Sequence, residues 1–208
     1  NIIDLGCMPD TYFPHLEEVI FKLKKEGFSV SVDSANSDEL IRGGKAGADY
    51  LLSINEKNIF VTDEVQSTPV LIPNESGDMS SLERLINKFL TKKRKFFADP
   101  ILDPIHYGFL ESISRYREIR KKFPKIDILM GIGNLTELTD CDSAGVTTVL
   151  MGLVSELNVK GVLVVQVSNH CRNAIKEADK ARKLMFFAKS NQRLPIGIDK
   201  GLMCLREK

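Results

Sequence analysis

With 208 residues, 43% of them hydrophobic and 27% charged, the chain can bury one large core, and a single domain is the expectation. Lysine and arginine (29) nearly cancel aspartate and glutamate (28), so the net charge of +1 excludes a general pull toward nucleic acid or an anionic membrane. No apolar run reaches the roughly 18 residues of a bilayer span, and the four cysteines, Cys7, Cys141, Cys171 and Cys204, form no Cys-x-x-Cys pair, which reads as reduced thiols in the cytoplasm and argues against a cysteine metal site.

The opening, Asn1-Ile2-Ile3-Asp4, is neither a signal peptide nor an initiator methionine. The sequence therefore reads as a fragment, truncated at its N-terminus, with an upstream part of the same chain expected. Residues 1–5 form a strand, and the following helix places Leu16, Val19, Ile20 and Leu23 on one face before Gly27 closes it. A second strand, 28–32, ends in Asp33. Asn36 or Ser37 then caps a short helix with Leu40 and Ile41, and Gly47-Ala48-Asp49 turns into a third strand, 50–54, with Asn55 at its lip. Residues 56–67 are weakly periodic, and 68–72 resemble a fourth strand.

Leu82, Leu85, Ile86, Phe89 and Leu90 mark an amphipathic helix, and the basic run Lys92-Lys93-Arg94-Lys95 at its end reads as solvated. In Lys95-Phe96-Phe97-Ala98-Asp99-Pro100, a short apolar run ends in an acid followed by proline. Apolar β-formers favour a strand and the residue before proline is pushed toward extended geometry, so Asp99 is delivered to the strand's C-terminal lip. A helix through Phe109, Ile113, Tyr116 and Ile119 is stopped by Pro124, and a sixth strand spans 126–132. Residues 133–143 form a loop of active-site size, the next helix uses Val146, Val149, Leu150, Leu153 and Leu157, a seventh strand covers 161–167, and a last helix, 171–189, turns Ile175, Ala178, Ala181 and Met185 inward. The tail packs on the surface.

Continuous apolar strands alternating with helices indicate α/β structure with a parallel sheet covered by helices. An open doubly wound sheet calls for an early glycine-rich phosphate loop. Gly131-x-Gly133 lacks the third glycine and comes late. Functional residues at many strand ends, Asp4, Asp33, Asn55, Asp99, Asn134 and Asn169, favour a TIM-type (β/α)8 barrel whose first strand lies upstream of Asn1.

Ser31-Val32-Asp33-Ser34, Ala46-Gly47-Ala48-Asp49, Ala98-Asp99-Pro100-Ile101-Leu102-Asp103-Pro104 and Gly131-Ile132-Gly133-Asn134-Leu135-Thr136 occur in an order and spacing that resembles the pterin-binding barrels. That group contains dihydropteroate synthase and the methyltetrahydrofolate corrinoid methyltransferases. The resemblance covers most of the chain and implies a pterin held by Asp99, which accepts the 2-amino group and ring N3–H side by side, by Asp33 at another nitrogen edge, and by Asn134 at N5 or the 4-oxo group. The asparagine expected on the third strand falls at Leu52, with Ser53 and Asn55 as substitutes. Gly133-Asn134-Leu135 resembles the methyltransferases, since a synthase carries a Ser-Arg-Lys stretch there. His170 and Arg172 follow the last strand as candidates for anion binding.

Each residue also has a plain structural role to offer: strand-end acids cap helices or bind loop amides, Asn134 can hold the following loop, and Asp4, His15 and His106 read as structural or solvated. Glu137, Asp140 and Asp142 form an acidic loop without fixed metal-ligand geometry. The implied functions are a dihydropteroate synthase-type transferase of folate or tetrahydromethanopterin (C1) metabolism, joining a pterin methyl diphosphate to an arylamine with Mg2+ on the diphosphate; methyl transfer from an N5-methyl tetrahydropterin to a corrinoid protein; or pterin binding without catalysis. The expected partners are a pterin and, through exposed barrel helices, a second copy of the chain.

Overall fold

The computed structural model describes residues 2–203, in which strands and helices alternate as far as β6, which is followed by two helices before the last strand; Asn1 and Cys204 lie outside the described residues. The chain divides into two compact units, one ending at Asp99 and one beginning at Pro100.

In the first unit the strands are β1 (Ile2–Gly6), β2 (Ser29–Asp33), β3 (Tyr50–Ile54), β4 (Thr68–Leu71) and β5 (Phe97–Ala98). They are joined by the helices α1 (Leu16–Lys25), α2 (Ser37–Lys45), α3 (Val61–Glu64) and α4 (Met79–Thr91). Every adjacent pair is parallel and spatial neighbours follow sequence order. A doubly wound sheet would reverse that order at a switch point. Sequential order is the winding of a β/α barrel, as the strand-end acids led one to expect.

Local chemistry sets the boundaries. Gly27, in the left-handed region at φ +83°, ends the α1 segment. The Asn36 side chain accepts the Asp38 N–H at 2.9 Å and starts α2. Asp78 does the same for α4 through the Ser81 N–H at 3.2 Å. A Cβ at Gly43 would lie 2.9 Å from Val32 Cγ2, so the glycine lets α2 approach β2. The core consists of Val30, Val32, Leu51, Ile54, Val70 and Leu71 from the strands against Leu16, Ile20, Leu40, Leu82, Ile86 and Phe89 from the helices.

The second unit contains α5 (Phe109–Lys122), β6 (Asp127–Gly131), α6 (Gly133–Thr136), α7 (Ser143–Glu156), β7 (Gly161–Leu163), a 3-10 turn at Asn169–Cys171, and α8 (Ala174–Ser190). β6 and β7 pair in parallel. Three expectations need correction here. The segment 133–143 opens with a helical turn, which puts Asn134 on α6 and off the strand end. The seventh strand stops at Leu163, and further along the Glu137 carboxylate, where a longer ladder would have offered carbonyls, accepts the Val167 and Ser168 N–H groups at 2.8 and 2.9 Å; Asn169 accordingly falls in the 3-10 turn beyond. Finally, α7 packs on α8, with Ala144, Thr147, Leu150 and Met151 buried on one and Ala174, Ala178, Ala181, Leu184 and Ala188 on the other, while Val149 (68% exposed) and Ile175 (54%) face outward.

No helix among the described residues is long and apolar enough to cross a membrane.

Candidate functional site

The C-terminal ends of the first unit's strands form a row. In register, Gly6 lies opposite Asp33, Asp33 opposite Leu52, Ile54 opposite Leu71 and Leu71 opposite Ala98. Backbone hydrogen bonds continue the ladder past the strands: Cys7 N–H to Asp33 O, Ile72 N–H to Ile54 O and Asp99 N–H to Leu71 O, each 2.8 Å. Asp33 and Asp99 therefore end β2 and β5 at the same edge of one parallel sheet, and the Asp99 side chain is buried. β-rich runs punctuated by an acid put both residues there, because a side chain at a strand terminus has left the ladder while its backbone is still held by it.

Asp33 is oriented by a residue from the next strand. Ser53 donates its hydroxyl to Asp33 Oδ1 at 2.6 Å. It does so from the left-handed region, φ +62°, at the point where the β3–β4 register shifts. A non-glycine residue there is uncommon and marks a local conformation that the surroundings impose. Deeper along the same sheet, Ser31 donates to Asp4 Oδ1, the two residues being register partners. Burial pushes the Asp4 carboxyl up to about 6, against the Ser31 hydrogen bond and with the help of the Asp33 charge. Asp4 lies mid-strand on β1, half-buried beside a second acid. A serine inside each of two apolar strands was the available signal.

Asn55 does turn work. Its Oδ1 accepts the Lys57 N–H at 2.9 Å, and its own N–H donates to Asn58 Oδ1 at 2.8 Å. Around the first loop, Glu39 is buried and accepts from the Ser34 hydroxyl (2.5 Å) and the Phe13 N–H (3.1 Å); these bonds outweigh its burial and keep it below the usual carboxylate range. Burial and the neighbouring acids push the Cys7 thiol up to about 11, so it stays protonated.

In the second unit, Asn134 donates Nδ2–H to the Leu102 carbonyl at 2.7 Å, which orients its Oδ1. Gly133 is required by packing, since a Cβ would fall 2.6 Å from Val165 Cγ2. The loop 100–104 is clamped by Arg115, which bonds the Pro100 and Ile101 carbonyls (3.2 and 2.8 Å) and Asp103 Oδ2 (2.6 Å). Asp103 is thereby a structural acid. The two anion-site candidates are both engaged nearby: His170 Nε2 lies 3.0 Å from the Thr136 carbonyl, and Arg172 donates to Asn169 Oδ1 at 2.7 Å. Glu137, held below the ordinary carboxylate range by the Ser168 and Val167 bonds, organises a loop. Among the described residues no three His, Cys, Asp or Glu side chains converge as a metal site.

No family model matches the chain. An uncharacterized protein of Methanocaldococcus jannaschii is 34% identical over 228 aligned positions, which take in 100% of this chain and 43% of the relative, so the chain spans less than half that protein's length. Among solved structures, a dihydropteroate synthase of Yersinia pestis with a pterine–sulfa conjugate is 14% identical at a TM-score of 0.66, over 91% of this chain and 83% of that one. A dihydropteroate synthetase with product is 13% identical at 0.65, over 92% and 82%. The dihydropteroate synthase of Thermus thermophilus in complex with 6HMPPP is 16% identical at 0.63, over 87% and 82%. Strand order, strand-end acids and these superpositions lead to one conclusion about architecture: the chain has the dihydropteroate synthase fold.

Proposed function

We propose that the chain binds a reduced pterin through the Asp99 and Asp33 carboxylates and serves a transferase of folate or tetrahydromethanopterin metabolism. The observation that carries the reading is the placement of Asp33 and Asp99 at the same end of one parallel sheet, Asp33 preset by Ser53, in a fold shared with dihydropteroate synthases. A pterin edge presents adjacent N–H donors, and a buried carboxylate accepts two of them in parallel, which fixes ring orientation as well as affinity. Asn55, whose amide carbonyl already closes a turn, has a lesser part in this scheme.

The reaction this supports is attack of an arylamine nitrogen on the 6-methylene carbon of a pterin methyl diphosphate. The C–N bond forms, the C–O bond to diphosphate breaks, and the amine gives up a proton. Mg2+ would accompany the diphosphate. A second reading, methyl transfer from N5 of a methyl tetrahydropterin to a corrinoid protein, is favoured by one feature: an amide, Asn134, stands on α6 in a Gly133-Asn134-Leu135 stretch without lysine or arginine.

Calorimetry with 6-hydroxymethyl-7,8-dihydropterin tests binding: the chain takes up the ring and Asp99→Asn loses it by at least about tenfold, as expected for a charged hydrogen bond of about 1.5–3 kcal/mol. Equal affinity in the variant would remove Asp99 from the site. Incubation of the full-length protein with pterin methyl diphosphate and 4-aminobenzoate, and separately with an N5-methyl pterin and cob(I)alamin, separates the two reactions. Binding with turnover in neither identifies a pterin carrier.

A further inference from the structure

Two acids share the inner end of this sheet, and the proposed function uses only one of them. Asp4 and Ser31 are register partners on β1 and β2, and Ser31 and Asp33 are two residues apart on β2, so all three side chains emerge on one face of the sheet. Asp4 thus lies one pleat repeat below the Gly6–Asp33 rung, about 6.6 Å along the strands. Each acid has its own hydroxyl donor, Ser31 for Asp4 and Ser53 for Asp33. The second oxygen of Asp4 has no hydrogen bond among the described residues.

We propose that Asp4 is the proton-exchanging floor of the ligand site, so that seating a neutral ring such as a reduced pterin on Asp33 draws a proton from solvent onto the Asp4 carboxyl. The inference rests on the pterin reading and adds a property to it. A neutral heterocycle that covers the strand ends displaces water from two adjacent carboxylates, and desolvation disfavours two charges side by side. Asp33 accepts the Ser53 hydroxyl and, in the pterin reading, the ring N–H groups. Asp4 is the acid left to take the proton, and burial together with the Asp33 charge already holds its affinity for one well above that of an ordinary aspartate.

The other ionisable groups nearby do not compete for it. From β2, Asp33 is the charged neighbour. Beyond the end of β1, the Cys7 thiol is protonated throughout the neutral range. Glu39 on α2 is fixed as a carboxylate by the Ser34 hydroxyl and the Phe13 N–H. The guanidinium that acts on Glu39, Arg42, is itself paired with Glu17.

The test is calorimetry of 6-hydroxymethyl-7,8-dihydropterin at pH 7 in buffers of different ionisation enthalpy. Wild type is expected to take up a large fraction of one proton per ring, with affinity falling by up to about tenfold per pH unit above the Asp4 midpoint. The uptake disappears in Asp4→Asn. In Ser31→Ala, which keeps the acid but removes the bond that lowers its proton affinity, the affinity profile moves to higher pH. NMR of the free chain reads the same group without ligand: the Asp4 carboxyl titrates near pH 6, and higher in Ser31→Ala. Binding without uptake in wild type, uptake unchanged in Asp4→Asn, or an Asp4 midpoint near 4 overturns the proposal. No binding heat in wild type overturns the pterin reading and the linkage with it.

Discussion

Arg115 offers the sharpest test of how the second unit is held. It leaves α5, is 9% exposed, and spends its guanidinium on Asp103 Oδ2 at 2.6 Å and on the Pro100 and Ile101 carbonyls at 3.2 and 2.8 Å. Ile101 is a β-branched residue at φ +66°, a conformation with a steric cost that the clamp holds in place. Arg115→Met removes the donor to these three acceptors and breaks a buried ion pair, a loss of about 3–5 kcal/mol. Arg115→Lys keeps the charge but cannot fork to three acceptors, and is expected to cost at least about 1.5 kcal/mol. Asp103→Leu with Arg115→Met removes both charges, so the double variant should be more stable than the sum of the singles predicts, by at least about 1 kcal/mol. Urea unfolding monitored by circular dichroism measures all four proteins. Costs that add within about 0.5 kcal/mol, or an Arg115→Met penalty below about 1 kcal/mol, would refute the clamp.

Asp4 predicts a pH signature in stability. Its carboxyl is raised from the ordinary 3.8 to about 6, so between those values the native state holds a proton that the unfolded chain has released, and wild type loses stability as pH rises through that window. The 2.2-unit difference (6 − 3.8) amounts to about 2–3 kcal/mol, so Asp4→Asn gains that much on wild type between pH 4 and pH 7, and parallel stability curves would exclude it. Glu56, Glu17 and Asp49 shift the other way but are common to both proteins and cancel in the difference. Two glycines give opposite outcomes in thermal melts. Gly133→Ala drives a Cβ into Val165 at 2.6 Å and should cost about 1–3 kcal/mol, recovered in part by Val165→Ala. Gly152→Ala, in α7 with nothing within 4 Å, should gain about 0.5–1 kcal/mol, and a loss there would show an unseen packing role.

Elements bounded by chemical punctuation were legible from the residues alone. The third strand was expected at 50–54 and is β3 at Tyr50–Ile54, because Gly47-Ala48-Asp49 precedes it and Asn55 ends it. Acid-proline and aspartate-serine junctions placed Asp99 and Asp33 at strand ends. What failed were inferences from bulk hydrophobicity. α7 carries no charged residue before Glu156, so its periodicity cannot say which face is inward, and the buried face is known only once α8 is seen packed on it. Val164, Val165 and Val167 read as strand, yet the amide of Val167 bonds a carboxylate from 30 residues earlier, a partner that no local pattern reveals. The surroundings of Asp4 were hidden for a related reason: they are Asp33 and Ser31 across the sheet, and pairing across a parallel sheet is invisible until the register is known.

The two ends of the proposed chemistry are unequally provided for. In the proposed scheme the acceptors for a pterin's N–H edge are Asp33, oriented by Ser53, and Asp99 at the terminus of β5. Donors for a diphosphate are a different matter. In the second unit the obvious ones are engaged within the chain, His170 with Thr136, Arg172 with Asn169, and the Val167 and Ser168 amides with the Glu137 carboxylate, which occupies them as an anion would. An anionic leaving group must therefore displace Glu137, use the Arg172 N–H groups that Asn169 leaves open, or find its donors elsewhere, whereas methyl transfer releases no anion and makes no such demand. A chain that binds the reduced ring equally well with and without its diphosphate would place the specificity wholly in the carboxylates of the first unit. A diphosphate preference that strengthens in Glu137→Ala would mean that those two amides form an anion site which the chain's own acid keeps closed.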